Sequence, residues 1–192
     1  MTAAGISAIA AGVTLVVSGA CLGVFFSTGR EAWGRANDAT TALFALLMIP
    51  AVVAVYERYA PGSRWAVSVA AMFGIAGALI VAVTSGMTAA AKLDWLVSAK
   101  VGAVGFAGLL AWVAATSWLI LGRGGLPDGL AWLGLVTVGV SVVAGIGTAL
   151  VIRAQGSLQG DSQPPSSLWA AYGVAFVGVV GWCVWLGIAL IG

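Results

Sequence analysis

The chain has 192 residues, 61% hydrophobic and 7% charged, with a net charge of +2 and a mean hydropathy of +1.10. A soluble domain carries roughly 25% charged residues and needs polar side chains to cover its surface, so a water-soluble enzyme is excluded. Eight Lys and Arg against six Asp and Glu make no basic footprint for nucleic acid, the apolar content excludes disorder, and what remains is a polytopic membrane protein of one domain.

Six continuous apolar runs, each about as long as a ~30 Å hydrocarbon core requires, predict an all-α bundle of six transmembrane helices with no soluble domain. Their lack of dyad alternation argues against a barrel. The first runs from about Gly5 to Phe26. No basic segment precedes it, so it reads as a retained helix rather than a cleaved leader. The second runs from about Ala39 to Tyr56, with Asn37-Asp38 as its expected N-cap and a kink expected at Pro50. The third spans about Trp65 to Thr84 and the fourth about Trp95 to Leu121. The fifth spans about Leu130 to Ile152, capped by Asp128. The sixth spans about Leu168 to Ile191, opened by Ser166-Ser167 after the break at Pro164-Pro165. The segment from Gln155 to Ser167, rich in Gly, Ser, Gln and Pro, is the expected mobile loop.

Six crossings put both termini on one face, here X, with the 2–3 and 4–5 loops. Face Y carries the 1–2, 3–4 and 5–6 loops. Trp33, Trp95 and Trp169 fall near Y, and Trp65, Trp118 and Trp132 near X, as interfacial aromatic belts. Trp112, Trp182 and Trp185 lie deeper and are expected to pack against helices or lipid. Basic residues number slightly more on Y, but the X loops are shorter and denser in charge, and the reading taken is that both termini are cytoplasmic.

Glycine accounts for 28 residues, about twice its usual ~7% share. In lipid, small residues let helix backbones approach closely. Gly5, Gly12 and Gly19 form a stripe on helix 1, and Gly19–Gly23 a GxxxG pair. Gly102, Gly105 and Gly108 lie on helix 4, and Thr137, Ser141 and Gly145 form a small-residue ladder on helix 5. These stripes serve packing within one chain or a seam between copies.

Chemistry is sparse. There is no histidine, and the two cysteines, Cys21 and Cys183, lie about 15 Å apart in depth, too far for a disulfide. No metal or other cofactor is expected. No apolar run carries a charge in its middle third, which counts against an ion-coupled pump. Lys100, the deepest charge, sits about one turn inside helix 4. Arg35, Asn37, Asp38, Lys92, Asp94, Lys100 and Arg153 gather at face Y. They serve as loop charges and caps, or as a polar pocket in which Asp38 pairs with Lys100 or Arg153. Gly34-Arg35…Asp38 and Gly122-Arg123…Asp128 hint at two inverted three-helix halves.

The stretches Gly34-Arg35-Ala36-Asn37-Asp38-Ala39 and Leu46-Leu47-Met48-Ile49-Pro50, together with Gly122-Arg123-Gly124-Gly125-Leu126-Pro127-Asp128 and the following Gly129 to Gly134, cover about an eighth of the chain. They resemble segments of a family of small six-helix integral membrane proteins of bacteria that has no established activity. The resemblance implies the six-helix fold and an inner-membrane address. Relatives carry Arg where Asp128 stands here.

The function expected is that of a non-enzymatic membrane component that binds a membrane-protein partner, a second copy, a lipid or a small ligand at one face. The alternatives are a small transporter or passive channel built from inverted halves, and a membrane-embedded hydrolase using Asp38 and Asp94.

Overall fold

A computed structural model describes residues 1–62, 64–155 and 166–192. Among them are six long α-helices: α1 (Thr2–Thr28), α2 (Glu31–Tyr59), α3 (Arg64–Ala89), α4 (Trp95–Arg123), α5 (Asp128–Gln155) and α6 (Ser166–Ile191). A short 3-10 turn, Ala60–Gly62, links α2 to α3. All six α-helices are long and apolar enough to cross a membrane. The outward residues are apolar as well: Val13, Met72, Phe73, Val104, Val143 and Val177 are all exposed. A water-facing helix would be polar on that side.

Each helix packs chiefly on its neighbours in sequence, and α1 packs on α6, so the six close into a ring. Glycine makes the tightest contacts. The Gly5–Gly12–Gly19 stripe of α1 faces α6: a Cβ on Gly5 would stand 2.6 Å from the Gly187 carbonyl, and one on Gly19 would stand 2.7 Å from the Phe176 ring. Gly23 meets nothing within 4 Å, so the seven-residue stripe, not the GxxxG pair, forms that seam. On α4, Gly105 and Gly108 press on the backbone of α3 at Gly77 and Phe73. Such approaches are possible only without a Cβ.

The core runs through the ring. Met48 and Val52 of α2, Trp112 of α4 and Trp182, Cys183 and Leu186 of α6 are buried. Trp112 and Trp182 meet edge to face, with ring centroids 5.3 Å apart, the arrangement that the aromatic quadrupole favours. Trp185 is exposed. Both cysteines are free and buried, and Cys183 Sγ lies 3.7 Å from Met48 Sδ.

Several local expectations are corrected. Helix α2 begins at Glu31, ahead of Asn37-Asp38, and its N-cap position is Arg30, which makes no side-chain capping bond. Glu31 and Arg35, one turn apart and 3.5 Å from each other, support this extra polar stretch of helix. Asp128 is the first residue of α5 rather than its cap. Ser166 and Ser167 likewise begin α6. The cap that sequence reading missed is Asp94, whose carboxylate accepts from the backbone N–H groups of Leu96 (2.8 Å) and Val97 (3.3 Å). Helix α2 passes through Pro50 without a break. Ser7 of α1 donates to the Leu47 carbonyl at 2.7 Å, next to the Leu46 carbonyl that the imino ring leaves without its usual N–H partner. Pro164-Pro165 and most of the expected mobile loop, including Asp161, lie outside the described residues.

At the end of the bundle that holds both termini, α2 is tied to the α4–α5 loop. Tyr59 donates its hydroxyl to the Gly124 carbonyl at 2.7 Å. Arg58 donates to the Gly125 carbonyl, and Arg123 to the Tyr59 carbonyl at 3.3 Å. Gly124 and Gly125 hold positive φ values of 68° and 88°, which suit glycine.

Candidate functional site: a mixed-charge cleft at the Y end

The α1–α2 turn closes on Gly29, whose φ of 65° is left-handed and whose N–H donates to Phe25 O. The α3–α4 turn closes on Ala91, the one non-glycine residue with positive φ among the described residues. Lys92 N–H then reaches back to Met87 O at 2.8 Å, a hydrogen-bond pattern that projects the Lys92–Asp94 segment beyond the helix end. Between these two turns lies an open cleft of about 530 Å³.

Four of the expected residues line it: Arg35 and Asp38 from α2, and Lys92 and Asp94 from the α3–α4 turn. Glu31, Gly34, Thr88 and Ala91 complete the polar and small part of the wall, and Phe25, Leu93 and Trp95 supply an apolar side. Arg35 is paired with Glu31, the one ion pair within 4 Å among the described residues. Asp38 accepts a long bond of 3.4 Å from Asn37 Nδ2 and is half-buried. Asp94 is committed to capping α4. The Lys92 ammonium is exposed and holds no carboxylate among the described residues.

The other three expected residues stand elsewhere. Asn37 turns towards α1, where its Oδ1 accepts from Ser18 Oγ at 2.7 Å, with Thr41 Oγ1 2.8 Å from the same hydroxyl. It joins two helices and does not line the cleft. Lys100 and Arg153 are exposed on α4 and α5 and do not line it either. Asp38 pairs with neither. The physical reason is the ring order: α2 packs on α1 and α3, which keeps it away from the Y end of α5. Glu31, Gly34 and Thr88 were not expected at the site. For Glu31 and Gly34 the signal was their helical spacing to Arg35 and Asp38, which becomes visible only once α2 is known to begin at Glu31, whereas Thr88 of α3 carried no such signal.

A ligand in this cleft would meet both signs of charge and an aromatic edge. Among the described residues no three His, Cys, Asp or Glu side chains come together as a metal site. The two stretches that hinted at duplicated halves occupy different places: Gly34, Arg35 and Asp38 lie within α2, whereas Gly122-Arg123 ends α4 and Asp128 begins α5. No protein-family model, curated protein or solved structure matches the chain.

Proposed function

We propose that this is a multi-pass integral membrane protein of a bacterial inner membrane, with both termini in the cytoplasm, and that it is a non-enzymatic component that holds a lipid headgroup in the Y-end cleft. The observation that carries the reading is the cleft's composition beside its apolar flank. Lys92 and Arg35 suit a phosphate, and Asp38 and Glu31 suit an ammonium group. Trp95 and Phe25 line the same cleft, and aromatic side chains of that kind suit the boundary between headgroup and acyl chains. A zwitterionic headgroup of the phosphatidylethanolamine class satisfies both signs at once, whereas a purely anionic headgroup leaves the carboxylates opposed. The bacterial address draws its support from the resemblance of the Gly34–Pro50 and Gly122–Gly134 stretches.

The test is native mass spectrometry of the full chain released from bilayers of equimolar phosphatidylethanolamine and phosphatidylglycerol. Wild-type protein retains phosphatidylethanolamine in excess. Lys92→Ala lowers that occupancy several-fold, and Lys100→Ala, outside the cleft, leaves it unchanged. Equal retention of both lipids, or equal loss in both variants, overturns the reading.

A further inference from the structure

The seam between α2 and α3 is not filled near the X end. Val53 and Tyr56 of α2 and Ser68, Ala71, Met72 and Ile75 of α3 wall a groove of about 200 Å³, and only apolar atoms line it. Val53 and Met72 are exposed, so the groove opens on the outer surface of the bundle. A helix is about 10 Å across with its side chains, too wide to enter a space of this size, whereas a hydrocarbon chain fits lengthwise.

Its depth is that of one leaflet. Ser68 and Ile75 lie four and eleven residues beyond Arg64, the first residue of α3, which at 1.5 Å per residue is about 6 to 16 Å. Half of a ~30 Å hydrocarbon core covers that range. Trp65, 82% exposed in the first turn of α3, marks the headgroup level above the groove.

Positive charge stands at that level. Arg64 is exposed and lies four residues before Ser68, on the same side of α3. The Arg123 guanidinium reaches the α2–α3 link from α4: its Nη1 would stand 2.7 Å from a Cβ on Gly62, and Gly62 is two positions from Arg64, about 7 Å at most between Cα atoms. Arg58 belongs to the last turn of α2. Among the described residues none of the three holds a carboxylate within 4 Å. Arg58 and Arg123 each donate to a carbonyl, which leaves most of their five N–H donors unused. Glu57 is the one carboxylate at the link, so the link is net positive.

We infer that the X end of the α2–α3 seam is a phospholipid site, with the lipid phosphate on Arg64 in the field of Arg123 and Arg58, and one acyl chain in the groove below. Guanidinium groups favour phosphate over other surface ligands because they offer paired donors in a plane, and basic sites between membrane helices suit phospholipid headgroups. The phosphodiester and the chain are recognised, not the group beyond the phosphate. The inference rests on the bilayer reading of the six helices and is independent of the Y-end cleft.

The experiment is photolabelling of the full chain in nanodiscs doped with phosphatidylglycerol that carries a diazirine midway along one acyl chain, with labelled residues located by mass spectrometry. Val136 is the comparator. It lies eight residues beyond Asp128 on α5, as Met72 lies eight beyond Arg64 on α3, and the two are 58% and 69% exposed. The expected result is several-fold more label on Met72 than on Val136. Arg64→Gln removes that excess, and Lys100→Ala, at the other end, leaves it. Diacylglycerol with the same photoactive chain, which lacks the phosphate, shows no excess. Excess inorganic phosphate leaves the labelling unchanged, and loss of label under phosphate would assign the site to a free anion and overturn the inference. Equal labelling of Met72 and Val136, less label on Met72 as a second copy seated on the groove would give, or an excess that survives Arg64→Gln also overturns it. Label on neither residue would overturn the bilayer reading and this inference with it.

Discussion

Gly5 of α1 and Gly187 of α6 meet backbone to backbone. A Cβ on Gly5 would stand 2.6 Å from Gly187 O, and one on Gly187 would stand 2.5 Å from Gly5 O. This contact joins the first helix to the last and closes the ring. Gly187→Val forces the two helices apart and is expected to cost about 1–3 kcal/mol, the usual penalty for overpacking a well-fitted interface. Gly23→Ala, where nothing lies within 4 Å, is expected to be neutral or stabilising by up to about 1 kcal/mol. Denaturant unfolding in mixed micelles separates the two, and equal effects would contradict the seam.

The Tyr59 hydroxyl bond to Gly124 O ties α2 to the α4–α5 loop. Tyr59→Phe keeps the ring and removes the bond, leaving a buried position with one donor fewer. The expected loss is about 1 kcal/mol, read from the same unfolding curves. Lipid retention at the distant Y-end cleft should not change.

Ala91 holds a φ of 54° at the end of α3. A Cβ there costs roughly 1–2 kcal/mol relative to the right-handed region, and glycine removes that cost. Ala91→Gly is therefore expected to stabilise the protein by about 1 kcal/mol, less the extra chain entropy of glycine when unfolded. A lower unfolding midpoint would show that the turn is not held as described.

Asp94 serves α4 through two backbone N–H groups. Asp94→Ala should destabilise by about 1 kcal/mol, while Asp94→Asn, also a good cap, should hold stability within a few tenths. Thermal unfolding of the two variants distinguishes a capping role, which asparagine preserves, from a role that depends on the charge.

Helix number, the start of α3 and the limits of α4 were legible because charges bracket those apolar runs: Arg64 starts α3, and Asp94 and Arg123 bracket α4, whereas α3 runs past the expected end at Thr84 to Ala89. The start of α2 was not legible. Hydropathy registers the apolar stretch from Ala39 onwards, whereas the helix begins at Glu31 and carries a polar turn with its own Glu31–Arg35 pair. The cleft was legible in part. Arg35, Asp38, Lys92 and Asp94 flank two turns at the same end of the bundle, and connectivity alone brings those turns to one end. Lys100 and Arg153 could not be sorted that way, because their distance from Asp38 depends on which helices are neighbours across the ring.

The central claim is that lipid surrounds a chain that crosses the bilayer six times and returns to its starting side. The most direct measurement is compartment-sensitive reporter tagging, one tag at a time, at the N-terminus, the α1–α2 turn, the α3–α4 turn, Pro127 and the C-terminus. The account predicts that both ends and Pro127 report the cytoplasm and that the two other turns report the opposite side. Termini in different compartments, or a tagged protein that stays folded and monomeric in detergent-free buffer, would contradict it.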